Sequence, residues 1–374
     1  MKIKLCIVVG ARPNFIKAAP IITAIKKYRK EYKELTFFLI HTGQHYDENM
    51  SDVFFKEMGI PKPDFQLSIG SGNHGKQTGE MIEKIEEILL KEKPDLLVSI
   101  GDTNSTLSGA LAAAKLHIPI AHVEAGLRLF NKNIPEEVNR LLTDHLSALL
   151  FVPTKLGKDN LLKEGMKNNT VFQYGDIMYD ATLQFDKVAE KKSKVLKTLG
   201  LKKDEFILVT VHRAENTAHI DQLKTILDSF VEVSANHKIV MPIHPRTKNL
   251  LKEHNLLDHY SAHIQVTDPL GYMDMLVMEK NARLIVTDSG GVQKEAFFQQ
   301  TPCVTLFENT AWVELVDLGW NNIVPPKSTK FITKNIMDVL KKKKGKAGSP
   351  YGKGNAAELM VERIITFLTA KHKS

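Results

Sequence analysis

The feature that most restricts how this chain can fold is a repeated unit: a short apolar run, a polar or glycine-bearing turn, then a helix-length segment. Ile3–Val9, Phe37–Ile40, Leu96–Ile100, Pro119–Val123 and Leu149–Val152 are such runs in the first half. Phe206–Val211, Lys238–Ile243, Leu284–Val286 and Pro302–Leu306 repeat the pattern in the second. Runs that are mainly apolar, rather than strictly alternating, suit strands buried on both faces, and the segments between them supply the covering helices. The expectation is an α/β protein with parallel sheets. A chain of 374 residues exceeds what one core usually organises, so two domains are expected. Two such halves facing each other make a central cleft, and open parallel sheets bind ligands at the carboxyl ends of their strands.

The turns at those strand ends are therefore the places to look. One reads Asp288-Ser289-Gly290-Gly291-Val292-Gln293-Lys294-Glu295, between the run Leu284–Val286 and a helix-forming segment. Backbone N–H groups converge at a helix N-terminus and the helix dipole favours negative charge. Ser289 adds a hydroxyl, and Glu295, about one turn in, can accept hydrogen bonds from a sugar's vicinal hydroxyls. A nucleotide diphosphate fits such a turn; an ordinary strand-to-helix connection has the same appearance. The first strand empties into Gly10-Ala11-Arg12-Pro13 with Lys17 beyond, two cations at a strand end. Three acids, Asp102, Glu124 and Glu136, lie at or just past strand ends, with Arg140 one helical turn from Glu136. Each has a bland account as a cap or a surface pair. Together they suggest a cleft with several carboxylates, as general acid–base chemistry needs. His41 and His45 are four apart on a loop without further ligands at metal spacing, so no metal is expected.

Composition removes other classes. The formal charge of +8 is concentrated in runs such as Lys341–Lys344, Lys191-Lys192 and Lys202-Lys203, which read as solvated surface and not as a nucleic-acid interface. No apolar run approaches the ~20 residues of a membrane helix, and the N-terminus lacks a signal-peptide pattern. The two cysteines, Cys6 and Cys303, sit in apolar runs. They read as buried free thiols in a cytoplasmic protein.

Taken together, the motifs resemble the non-hydrolysing UDP-N-acetylglucosamine 2-epimerase family. The likeness is carried by Gly10-Ala11-Arg12-Pro13 with Lys17, Thr42-Gly43-Gln44-His45, Gly101-Asp102-Thr103, His122–Arg128, Pro135-Glu136-Glu137 with Asn139-Arg140, His212-Arg213 with Glu215-Asn216, and Asp288–Gly291 with Gln293 and Glu295. It implies two Rossmann-like domains in a GT-B-like arrangement: residues 1–185, residues 186–354, and a closing helix in 355–374 that packs back on the first. It implies no cofactor and no metal, a UDP-sugar partner, and a homodimer.

It also implies roles. Ser289, Gly290 and Gly291 hold the diphosphate and Glu295 the ribose, with Tyr272 and Met275 at the uracil. Arg12, Lys17 and Arg140 join the substrate contacts. Asp102, Glu124, Glu136 and His212 carry the chemistry, His212 by assisting at the phosphates. Gln44, His45, Arg128, His244 and Arg246 are further candidates for sugar or regulatory contacts. The implied reaction inverts C2 of a UDP-2-acetamido sugar, UDP-N-acetylglucosamine to UDP-N-acetylmannosamine, through UDP elimination to a 2-acetamidoglucal and re-addition. The alternatives are epimerisation of UDP-2,3-diacetamido-2,3-dideoxy-glucuronate, a hydrolysing relative, and an inactive UDP-sugar-binding homologue. The sequence departs from the family at Phe307, where an Arg is usual, and at Ala311, where a Glu follows Thr310.

Overall fold

A computed structural model describes residues 2–44, 55, 58–342 and 344–371 of the chain. The chain divides into two compact units, Met1–Gln184 with Ser349–Ser374, and Phe185–Gly348. Among the described residues, the first unit holds a seven-stranded sheet, built from β1 (Ile3–Val9), β2 (Leu35–His41), β3 (Phe65–Gln66), β4 (Leu96–Ile100), β5 (Ile120–Val123), β6 (Leu149–Val152) and β7 (Val171–Gln173) in the order β3-β2-β1-β4-β5-β6-β7. The second holds a six-stranded sheet of β8 (Phe206–Thr210), β9 (Lys238–Pro242), β10 (Gln265–Thr267), β11 (Leu284–Thr287), β12 (Cys303–Thr305) and β13 (Asn321–Ile323), ordered β10-β9-β8-β11-β12-β13.

All the strand pairs are parallel. In each sheet the order reverses at the unit's first strand: β1 lies between β2 and β4, and β8 between β9 and β11. A crevice opens at such a reversal, because the connections on either side leave toward opposite faces. The turns that follow β1 and β4, and those that follow β8 and β11, therefore border the two crevices.

The apolar runs become strands because helices cover both faces of each sheet. In the second unit Val209, Ile239, Val286 and Val304 pack with Leu223, Phe230 and Ile336 from helices. In the first, Val8 and Leu97 pack with Met81, Ile85 and Ala110. The helix Ala356–Lys371 returns to the first unit and buries Met360, Val361, Ile364, Ile365 and Leu368. Leu359, beside Met360, is half-buried. The return begins by Tyr351, before residue 355: its carbonyl accepts the Asp176 N–H at 3.0 Å. Two further elements lie outside those apolar runs. Strand β13 begins with two asparagines and is anchored by polar contacts, Asn321 with Thr305 at 2.8 Å and with Gln293 at 3.0 Å. The helix Thr329–Lys341 hides its core face, Ile332, Ile336 and Val339, among lysines. Cys6 and Cys303 are free and buried, and burial pushes both thiols up, Cys303 to about 12.

Asp180 caps the closing helix, accepting the Ala357 N–H at 2.8 Å. Burial, only partly offset by the helix N–H groups and reinforced by Asp176, pushes its carboxyl up to about 6. The folded state thus binds this proton more tightly than the unfolded chain. Stability from this group rises as pH falls through 6 toward 4, and the ionised form is a cost at neutral pH. Asp180→Asn keeps a capping oxygen and removes the charge. Its midpoint of thermal unfolding at pH 7 is expected to exceed the wild type's, by up to about 3 kcal/mol in stability, with the difference closing below pH 5. Equal midpoints across that range in thermal scans would contradict the assignment.

Candidate active site

In the first unit, the turns after β4 and β5 bring acids and cations together. The last residues of these strands, Ile100 and Val123, are register partners. The carboxylates just beyond them, Asp102 and Glu124, therefore leave neighbouring strand ends. Glu124 forms a buried ion pair with Lys17, which comes from the helix Arg12–Tyr28. Asp102, about one-third exposed, pairs with Arg140 at 2.6 Å. Arg140 also pairs with Glu137 at 2.6 Å, so it binds Glu137 and not Glu136. Burial opposes its charge, but Asp102 and Glu137 outweigh that and raise the guanidinium further. Glu137 is buried and accepts the N–H groups of Leu129 and Phe130. Glu136 on the same first turn is exposed.

Backbone strain marks the same place. Glu124 has φ +75°, a left-handed conformation that costs an L-residue about 1–2 kcal/mol. It persists because its neighbours fix it: Glu124 and Ala125 both donate to the Phe151 carbonyl, at 3.1 and 3.0 Å. Gly101, at φ +73°, lies so that an added Cβ would stand 3.5 Å from Lys17 Nζ and 3.7 Å from Glu124 Oε2. Gly10 allows a closer approach, since a Cβ there would fall 1.9 Å from Ser105 Oγ and 2.3 Å from Thr42 Oγ1. Gln44 accepts from the Ser105 N–H at 3.0 Å and from its hydroxyl at 2.6 Å. His45 and the side chain of Arg12 lie outside the described residues.

Arg128 is held inside the unit. Its Nε and Nη2 donate to Glu164 at 2.7 and 2.6 Å, and Nη1 meets Asp144 at 2.8 Å and the Leu127 carbonyl at 2.7 Å. A guanidinium with these partners is not available for the sugar or regulatory contact that the resemblance implies.

In the second unit, the turns after β8 and β11 are tied by Asp288. It is fully buried and accepts from the backbone of His212 and Arg213, both at 3.0 Å, and from Asn216 Nδ2 at 3.1 Å. His212 Nδ1 is 3.5 Å from the same carboxylate, and its ring stacks on His244 with centroids 5.3 Å apart. Ser289 is the N-cap of the helix Gly290–Phe298, its hydroxyl accepting the Val292 N–H at 3.5 Å. The N–H groups of Gly290 and Gly291 open that helix, where intrahelical acceptors are lacking. Glu295 is buried one turn in, Tyr272 is buried with its ring edge-on to Phe185, and Met275 is half-buried. Arg246 is exposed at the start of the helix Pro245–Glu253, where its N–H is bonded by His244.

Phe307 takes part in this turn. The Arg213 guanidinium lies 4.6 Å from its ring centroid, and an Arg213 nitrogen is 3.7 Å from where a Cβ on Gly290 would be. Arg213 is thus a candidate of its own, carried in the sequence only as part of a motif. Thr310 holds Gln293 at 2.7 Å and the Trp312 N–H at 3.1 Å, so the loop containing Ala311 is anchored to the glycine-turn helix without an acid at that position.

The chain is similar along most of its length to known proteins. A family model described as UDP-N-acetylglucosamine 2-epimerase matches residues 27–365. The UDP-N-acetylglucosamine 2-epimerase homolog of Methanococcus maripaludis is 50% identical over 366 residues, covering 96% of this chain and 98% of its own. The UDP-2,3-diacetamido-2,3-dideoxy-D-glucuronate 2-epimerase of Pseudomonas aeruginosa is 44% identical over 365 residues, covering 96% and 99%. The crystal structure of the Methanocaldococcus jannaschii UDP-GlcNAc 2-epimerase, in complex with UDP-GlcNAc and UDP, aligns with a TM-score of 0.90 at 46% identity over 98% of this chain and 100% of that one. The two parallel-sheet units match the GT-B-like, two-domain fold of these structures.

Proposed function

This chain belongs to the UDP-N-acetylglucosamine 2-epimerase family, and from that premise we propose that it inverts C2 of a UDP-2-acetamido sugar, converting UDP-N-acetylglucosamine to UDP-N-acetylmannosamine reversibly. One observation carries the reading: two carboxylates, Asp102 and Glu124, stand at neighbouring strand ends, each against its own cation, Arg140 and Lys17. The second unit supplies what a diphosphate needs, in the helix opening at Gly290 and Gly291 with Arg213 beside it.

The chemistry divides accordingly. The C1–O bond breaks with its electron pair leaving on UDP, and the C2 proton passes to a carboxylate of the first unit, giving the 2-acetamidoglucal. UDP then re-adds at C1 while C2 takes a proton on the opposite face. A C2 proton on an amide-bearing carbon is a weak acid, so stabilising the departing diphosphate carries much of the barrier. The two faces need two proton-handling groups, and Asp102 and Glu124 with Glu136 provide them. Lys17 and Arg140 orient their carboxylates. On the face of Phe307, Arg213 supplies a guanidinium to the phosphates beside His212. Glu295 takes the ribose hydroxyls, and Met275 and Tyr272 border the uracil.

Incubation with UDP-N-acetylglucosamine in D2O, read by NMR, tests the reaction: deuterium enters C2 and the manno product appears. Free N-acetylmannosamine would mean a hydrolysing enzyme, and tight UDP binding without exchange would sink the catalytic reading. UDP-2,3-diacetamido-glucuronate is the second substrate to try, because the Pseudomonas enzyme is 44% identical. Its additional carboxylate would then fall to Arg246, Arg128 being engaged elsewhere. Arg213→Ala is expected to weaken UDP binding about ten- to a hundredfold, the worth of one or two charge-assisted hydrogen bonds. Calorimetric titration with UDP measures it; unchanged affinity would remove Arg213 from the phosphates.

Buried free thiols support the cytoplasm as the enzyme's location. Among the described residues no helix is long and apolar enough to cross a membrane. A homodimer belongs to the reading by family likeness, and light scattering measures it.

A further inference from the structure

His122 lies in β5 with no solvent exposure, and the proposed reaction gives it no task. Both of its ring nitrogens are nevertheless bonded. Nδ1 meets Asp144 Oδ1 at 2.6 Å, and Nε2 meets the Gly101 carbonyl at 2.7 Å. A carbonyl oxygen only accepts, so Nε2 carries a proton. Asp144 is itself fully buried, and its other oxygen accepts from Arg128 at 2.8 Å and from the Gly126 N–H at 3.1 Å. Burial alone would raise its carboxyl, but His122 and Arg128 outweigh that and hold it below the usual range. The buried Arg128 guanidinium on Oδ2 favours the ionised carboxylate whatever the ring carries, and an ionised carboxylate has no proton to give, so Nδ1 carries one as well.

We infer that His122 is a buried imidazolium that clamps the two turns bearing Asp102 and Glu124, and is the positioning residue of the first unit. The clamp has two arms. Nε2–H fixes the carbonyl of Gly101, the residue before Asp102. Asp144, gripped by Nδ1–H, fixes the N–H of Gly126, two residues beyond Glu124. Both turns are left-handed, Gly101 at φ +73° and Glu124 at +75°; for Glu124, which is not a glycine, that conformation lasts only where surrounding bonds over-determine it. Charges alternate outward from the ring: Asp144 against His122, Arg128 against Asp144, Glu164 against Arg128. With each charge matched, a cation without water is tolerable here.

The inference deepens the proposed C2 chemistry and rests on it for its kinetic arm alone. The first measurement is 15N NMR of the whole histidine-labelled protein at neutral pH, with His122 identified by the signals lost in His122→Gln. Two protonated ring nitrogens are expected; one protonated nitrogen would overturn the imidazolium. In the kinetic arm, His122→Gln offers one amide where two N–H groups stood. Its kcat is expected to fall about a hundredfold, as misplaced catalytic groups cost, with KM and UDP affinity within about twofold. Asp144→Asn should lower kcat in the same way and leave His122 with a single ring proton. An unchanged kcat, or equal losses of kcat and UDP affinity, would overturn the positioning role. Should His122→Gln not fold, Asp144→Asn identifies the His122 signals by the proton they lose, and the spectrum of the native protein still decides. Wild-type protein with both ring protons but no C2 exchange supports the clamp while overturning the proposed reaction.

Discussion

Asp102→Asn is expected to slow deuterium entry at C2 by about 10²- to 10⁴-fold, the range for removing a general acid or base, while leaving UDP affinity within severalfold. The substitution keeps the shape of the side chain and its contact with Arg140, now 2.6 Å from the carboxylate. Arg140 keeps its bond to Glu137, so the local structure holds and only the charge is lost. Glu124→Gln should slow exchange as much, with a second effect: Lys17 is left as a buried cation without its counter-charge, and the variant should be less stable than Asp102→Asn. NMR exchange, UDP calorimetry and thermal scans separate these outcomes. A loss of UDP affinity as large as that of Glu295→Ala would contradict the division of labour between the units.

The second large effect is structural. At Gly126 an added Cβ would lie 2.3 Å from the carbonyl oxygen of Gly157 and 2.8 Å from its carbon, and φ there is +79°. Backbone atoms cannot swing aside as a side chain can, so Gly126→Ala must move the turn itself. Overpacking costs about 1–3 kcal/mol and the left-handed conformation about 1–2 more, which lowers the unfolding midpoint by on the order of 10 °C. Gly165→Ala is the control, since φ is +88° there and nothing lies within 4 Å. It should show the conformational cost without the clash. Comparable midpoints for the two variants would show that the contact with Gly157 yields easily.

The alternation of strand and helix is legible because strands covered on both faces are mainly apolar, as Leu96–Ile100 and Phe206–Thr210 are apart from Ser99 and Thr210. Strand β13 was not, because its asparagines are satisfied by Thr305 and Gln293, partners distant in sequence. Within the site, Lys17 and Asp102 stand out by their place at strand ends, but which charge meets which does not. Spacing paired Arg140 with Glu136; the helix phase turns Glu137 inward instead. Arg128 looked available because Asp144 and Glu164, which bind it, lie far along the chain. His122 reads as an ordinary core residue until Asp144 is seen beside it.

The closing helix has a consequence for how the molecule is made. The second unit is one unbroken stretch, complete in sequence once Gly348 has been added. The first unit is not: Met360, Val361, Ile364, Ile365 and Leu368, all buried in it, are translated after the whole of the second. On the ribosome, the unit that emerges first must therefore wait with part of its core uncovered, while the later one can finish folding.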